Sequence, residues 1–417
     1  MNILLANNAE TTLTAAIAAG DLTVPITSAT NFPSPTSGVD AFYVTLERVT
    51  TGEKEIVLCT ARSGLNLTVV RAREGTSAIS FASGDIVSMR LTKAALEAVT
   101  PRRNLVINGA MQVAQAATSY VATTSLAYGC VDQWFMKQAT LAEVTFSQAA
   151  PSPALPGFEY CLKVLLTGTS TGQISFGTIF ESRDSIPYQG RRVKVIVRAV
   201  KGSTWNPANV EMRLWTGTGT DQSSANMIAG AWTGSAQSLS STLTPTATWD
   251  EYTFDVTIPS TATQIGMELR ATPTGAAVDA NSYLMVTGFE IKEGVSPFEA
   301  RPYEQELALC HRYLPGFNGL SDTFAGHEAD ATTGYIAVPF PVPARIAPTG
   351  ITISNVVHLT ARHQAATIVA TNVQFSRAGK RSAMLLVTVA AGLTAGNGWT
   401  TYLNDAAAKL LFTGAQL

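Results

Sequence analysis

The sequence predicts a mainly β protein: a small N-terminal β-domain, a central β-sandwich, a short connecting helix and a C-terminal β-sandwich domain. Three observations predict it. Apolar and polar residues alternate with period two in many short runs, as half-buried strands require. Gly, Pro, Asn, Asp and Ser punctuate the runs at short intervals. Only 14% of the 417 residues are charged while 46% are hydrophobic. Much of the polar surface must then be Thr, Ser, Asn and Gln, and β-branched Thr fits a pleated sheet. At about 150 residues per domain, the length allows about two to four domains.

The first domain covers residues 1–100. Strands are expected at Leu22 to Thr27, Ala41 to Leu46, Glu55 to Thr60, Leu65 to Arg71 and Asp85 to Leu91. Thr51-Gly52, Ser63-Gly64, Glu74-Gly75 and Ser83-Gly84 supply turns. Thr92 caps a helix from Lys93 to Val99, and Pro101 stops it. Pro101-Arg102-Arg103 reads as a linker. The strings TTLTAAI, LTVPITSATNFPSP, FYVTLE, GEKEIVLCT and LTVVRAREGTSAISFASGD resemble a small N-terminal domain of phage tail-fibre and baseplate-associated proteins. Val69 to Ser77 is the most specific part. The resemblance implies attachment to other tail and baseplate proteins; the residues alone predict a compact β-domain.

The second domain covers residues 104–300. Its strands are expected at Val144 to Gln148, Tyr160 to Leu166, Gly172 to Phe180, Arg192 to Lys201, Val210 to Thr216, Trp249 to Ile258, Thr263 to Arg270 and Ser282 to Lys292. Their number and spacing predict a sandwich. In Arg192 to Lys201, Val193, Val195, Val197 and Ala199 can fill one face. Asn104 to Gln115 is similar to the opening of phage fibre sandwich domains. Tyr128 and Asp132-Gln133-Trp134-Phe135 are similar to the segment that follows in them, and Gly288 to Gly294 with Pro297-Phe298-Glu299 to their end. The chain departs at Ala114, where Trp is common, and at Gln133, where Arg is common. This resemblance implies a jelly roll like a carbohydrate-binding module.

A connecting helix is expected within residues 301–316. Pro302 suits its first turn, with Glu304 and Glu306 near the positive end of the dipole. Tyr303, Leu307, Cys310 and Leu314 fall on one stripe, and Pro315-Gly316 ends it. The string from Pro297 to Tyr313 resembles a signature that precedes the C-terminal domain of phage fibre proteins, with His311 where Gln is more common.

The last domain covers residues 317–417. Strands are expected at Gly334 to Phe340, Gly350 to Ile353, Ala366 to Phe375, Ser382 to Val389 and Lys409 to Phe412. Tyr335 to Arg345 with Ala347-Pro348-Thr349 again resembles the family, as a tip domain.

The formal net charge of −2 gives no general attraction to nucleic acid or an anionic membrane. No apolar run reaches a membrane span, and the N-terminus lacks the basic start of a secretory signal. Cys59, Cys130, Cys161 and Cys310 are far apart and read as buried thiols. The sequence holds no nucleophile elbow, P-loop, HExxH or EF-hand, so no cofactor, resident metal or catalytic residue is expected. Glu181 with Asp184 and Asp250 with Glu251 are the nominal carboxylate pairs for glycoside hydrolysis; solvated charges at strand ends are the competing reading. His358 and His363 are five apart, a weak metal-site spacing, and a trimer axis could gather one His from each chain; separate histidines are the simpler reading.

Aromatic residues are the better candidates. Trp205, Trp215 and Trp232 lie in a Gly/Thr/Ser-rich stretch, where flat rings can stack on sugars; core burial is the alternative. Three expected loops, Phe317 to Thr333, Asn355 to Gln364 and Gly392 to Tyr402, carry Phe324, His327, Asp330, His358, Arg362, His363, Trp399 and Tyr402 as receptor-binding candidates. The expected function is that of a virion structural protein, a tail fibre subunit that touches the host cell surface. Its expected partners are two further copies in a homotrimer and a host glycan or surface protein. A polysaccharide-degrading tail protein and a purely structural baseplate component are the alternatives.

Overall fold

The structure, a computed structural model, describes residues 2–38, 40–99, 104–140, 143–207, 209–294, 298–320, 323–363 and 366–417. The expected linker Pro101-Arg102-Arg103 lies outside them. Two compact units result, residues 1–103 with 292–298 and residues 104–291 with 299–417.

The first unit is a mixed sheet. In spatial order its strands are Glu10–Thr12, Ile86–Ser88, Asp40–Glu47, Lys54–Ser63, Asn66–Arg73 and Thr23–Pro25, with Asn2–Ile3 parallel to Asp40–Glu47. Alternation sends Phe42, Val44 and Leu46, and Val57 and Cys59 on the next strand, into one core. Thr92 caps the helix Lys93–Val99 by accepting the Ala95 N–H at 3.2 Å. Arg71 is buried with Glu55. Its Nε and Nη2 donate to the carboxylate at 2.8 and 2.6 Å. Its remaining N–H groups meet the carbonyls of Ala18, Asp21 and Ile79 at 3.0, 3.0 and 2.6 Å. Burial pushes the Glu55 carboxyl up, but Arg71 and the backbone N–H groups of Ala72 and Ile79 outweigh it, and the net direction is down.

The second unit begins with two facing sheets. One runs Asp250–Thr257, Arg192–Lys201, Tyr283–Lys292, Cys161–Leu166, Val144–Ala149 and Ser119–Val121. The other runs Ala236–Leu243, Val210–Gly217, Gln264–Ala271, Ile174–Ile179 and Phe135–Gln138. Val193, Val195, Val197 and Ala199 fill the core from the first sheet as expected, opposite Met212, Leu214, Met267 and Leu269 of the second.

The helix Tyr303–His311 follows. Its buried face is Glu306, Cys310 and His311, whereas Tyr303, expected on the buried stripe, is 51% exposed. Glu306 is drawn inward because it accepts the Asn108 N–H at 2.6 Å and the Arg301 guanidinium at 3.1 Å.

The last hundred residues are β, but their principal sheet is not an open sandwich layer. Thr323–Glu328, Thr333–Pro339, Ser382–Val389, Ala366–Ala378, Leu359–His363 and Gly398–Leu403 close into a barrel. Closure leaves no edge strand to cover. Gly316–Asn318, Lys409–Thr413 and Gly350–Ile353 form a small sheet beside it. Trp399 fills the barrel over Gly334, where a methyl group would come within 2.5 Å of the indole ring.

Candidate ligand-binding cleft

The predicted aromatic platform does not exist as a surface. Trp205, Trp215 and Trp232 are 6%, 6% and 3% exposed. Trp205 belongs to the sandwich core. Trp215 does lie on the outer face of the five-stranded sheet, as alternation requires, but that end of the face is roofed. Phe135, Ile179, Met227 and Trp232 cluster with it, and Leu417 packs against them. Both indole N–H groups are used inside, Trp215 on Glu268 at 2.9 Å and Trp232 on the Ser223 carbonyl at 2.9 Å. Gly266 supplies the room: a methyl there would lie 2.9 Å from the Trp232 ring.

The C-terminal candidates are dispersed as well. Much of each expected loop is barrel strand, so alternation divides the residues. Phe324 and Trp399 point inward at 2% and 4% exposure. His327 is exposed and stacks on Tyr335 at 5.6 Å. Exposed Arg362 and half-buried Tyr402 lie on adjacent strands, opposite Thr400 and Thr360. Asp330 makes a hairpin turn: the Thr333 hydroxyl and the N–H groups of Thr332 and Thr333 hold its carboxyl at about 2. His358 sits 3.2 Å from the Ser354 hydroxyl. His363 ends its strand, and its side chain lies outside the described residues. Among the described residues no cluster of metal-binding side chains forms.

The open part of the five-stranded sheet carries a cleft that the sequence reading missed. Strand register brings Lys137, Ser175, Arg270 and Glu211 side by side across four strands. The next row is Phe135, Gly177, Glu268 and Arg213. Two depressions of about 140 and about 190 Å³ share Gln173 and Arg270. Each is smaller than the roughly 300–1,000 Å³ that encloses a drug-sized ligand, so they suit single units of a longer chain laid across the sheet. Arg213 holds Glu211 at 2.6 Å. Arg270 hydrogen-bonds Gln173 and lies 3.4 Å from Glu268. Glu268 is 1% exposed, and burial raises its carboxyl pKa although Trp215 and Arg270 oppose this. The available signal was charge at period two in strands otherwise apolar, Glu211 and Arg213 in VEMRLWTG and Glu268 and Arg270 in QIGMELRA.

The motifs that carry the sandwich and helix resemblances meet in a structural junction instead. The Asn108 amide donates to the carbonyls of Val113 and Asp132 at 2.8 and 3.0 Å. Gln115 donates to Asp132 through its backbone at 2.9 Å and its side chain at 2.6 Å, and to the Leu314 carbonyl at 3.2 Å. Glu181, one of the nominal catalytic carboxylates, is bound to Arg312 at 2.6 and 2.7 Å. Its pKa is pushed up by burial but lowered overall by Arg312 and Tyr313, the wrong direction for a general acid. Of the other pair, Glu251 is bound to Arg198 and Asp250 accepts the Thr246 hydroxyl at 2.8 Å.

Asp132 gives this junction a pH dependence. Burial raises its pKa to about 6 against the Gln115 hydrogen bonds. The unfolded value is about 3.9, so the folded state holds the extra proton between those limits and stability falls as pH rises through them. The loss is expected to be about 2–3 kcal/mol from pH ~4 to ~7. Asp132→Asn should flatten that part of the stability–pH curve. Chemical denaturation at several pH values checks this, and an unchanged slope in the variant contradicts it.

No protein-family model matches the chain, and no curated protein matches it. Solved structures do. One is a CBM4 carbohydrate-binding module, at 14% identity over 44% of this chain and 97% of that one, with a TM-score of 0.28. Another is a carbohydrate-binding module of the β-sandwich superfamily, at 11% identity over 68% and 98%, with a TM-score of 0.30. The enzymatically active domain of tailspike protein 4 of bacteriophage CBA120 matches at 12% identity over 45% of this chain and 21% of that one, with a TM-score of 0.30.

Proposed function

We propose that the chain is a phage tail fibre subunit that binds a host-surface glycan in the Arg270 cleft of its sandwich. The cleft carries the reading: a row of polar and charged side chains on a rigid sheet, open to solvent and shaped for a chain. The tail assignment is supported by the sequence resemblance, which touches all three blocks. In this reading residues 1–100 attach to tail and baseplate proteins, and three chains assemble around an axis. Repetition then turns weak sites into firm attachment. The protein works in the virion, assembled in the host cytoplasm and released by lysis. Binding, without a catalytic step, is its role.

A glycan array probed with the full chain tests the cleft. Arg270→Gln should weaken binding to any recognised glycan by about tenfold or more, since a charge-assisted hydrogen bond is lost. Unchanged binding by a variant of native melting temperature would move the site elsewhere. Release of reducing ends from a bound glycan would replace binding with hydrolysis.

A further inference from the structure

We infer that the cleft selects an acidic polysaccharide, a polymer of carboxylate-bearing sugars, over neutral glycans. This rests on the cleft being the glycan site. The first ground is what the cleft lacks. Among the described residues no aromatic side chain lines either depression, and the aromatics of the same sheet face, Phe135 and Trp215, are buried under a roof. A neutral sugar has no flat ring to lie on, so recognition falls to polar and charged groups.

The second ground is the sign of the charge offered outward. Lys137, Arg213 and Arg270 are cationic, and the carboxylates beside them are Glu211 and Glu268. Glu211 is engaged by Arg213 at 2.6 Å, and Glu268 lies beneath the surface at 1% exposure. Lys137 has no ion-pair partner among the described residues, and it stands in the same row as Arg270, two strands away. At about 4.8 Å per strand that separation is about 10 Å, so two anionic groups on one polymer can be met together. Arg presents a planar fork that matches a carboxylate. The net charge of the whole chain is −2, so the preference arises locally and not from general attraction to polyanions.

Affinity electrophoresis of the full chain tests this, in gels containing polygalacturonate, alginate or hyaluronate on one side and dextran or mannan on the other. Retardation by at least one uronate polymer is expected, with none by the neutral ones. It should weaken about tenfold or more between about 0.05 and about 0.5 M NaCl, as screened charges require. Lys137→Glu should abolish it and Lys137→Gln should weaken it, each at native melting temperature. Retardation by the neutral polymers alone, or equal retardation in Lys137→Glu, overturns the inference and leaves the glycan-binding reading standing. No retardation in any gel, with no binding on the array, overturns both.

Discussion

Arg312→Met is expected to destabilise the second unit by about 2–4 kcal/mol, and the deficit should shrink on acidification. Arg312 follows the connecting helix and donates two bonds to Glu181 on the sandwich, at 2.6 and 2.7 Å. Glu181 is 3% exposed at its side chain, Arg312 23%. Removing one partner of a buried pair costs about 3–5 kcal/mol, because the other charge stays buried; the partial exposure of Arg312 lowers the figure. The pH signature follows from sign. In the native chain Arg312 holds the Glu181 pKa down, so the pair contributes stability above the unfolded pKa that is lost as pH falls. Without Arg312, burial, the largest influence, is opposed only by the Tyr313 hydrogen bond and the Arg183 charge, and the carboxyl rises. Protonation then relieves the variant as pH falls. Urea unfolding at pH ~7 and ~5 measures both effects. A deficit below about 1 kcal/mol, or one that grows in acid, would show that water already solvates Glu181.

The same contact shows what the sequence could and could not disclose. Periodicity located Arg192–Lys201, Gly350–Ile353 and Ser382–Val389 to the residue, because each sends every second side chain, apolar in type, to a core face. It missed Ala236–Leu243, whose AQSLSSTL sequence makes a largely exposed edge strand, and Thr323–Glu328, where Gly326 interrupts the apolar face. Alternation says which face of a strand a side chain takes. It does not say what covers that face. Trp215 reads as a platform until Leu417, two hundred residues onward, is placed over its cluster. The cleft was hidden for the converse reason. Lys137, Ser175, Arg270 and Glu211 become neighbours only through register, and a single sequence does not print register. The motifs around Asn108, Asp132 and Glu306 were visible as strings. Their common purpose was not, because Asn108 and Glu306 are 198 residues apart.

In the first unit Glu55→Ala should have a larger effect still, about 3–5 kcal/mol. Glu55 is 0% exposed, and its two oxygens accept from Arg71 and from the N–H groups of Ala72 and Ile79 at 2.9 and 3.1 Å. The substitution leaves those two N–H groups without their acceptor and Arg71, itself 9% exposed, with only carbonyl partners. Each loss counts separately, since an unmade buried hydrogen bond costs about 1–3 kcal/mol. The segment from Arg71 to Glu74 is then freed from the contact that fixes it. It includes left-handed φ values of 54° at Ala72 and 51° at Glu74, which residues other than glycine rarely adopt. A domain has about 5–15 kcal/mol in all, so the substitution removes a large share of the unit's stability. Because the chain divides into two compact units, the damage should stay in one of them. Hydrogen exchange of the full chain reads the units separately. Amides of Asp40–Glu47 and Lys54–Ser63 should lose about 10²–10⁴-fold protection, at about 1.4 kcal/mol per decade, while those of Arg192–Lys201 keep theirs. Equal loss in both units would mean that they fold as one. No loss in either would mean that Arg71 finds another acceptor and that the buried pair contributes specificity in place of stability.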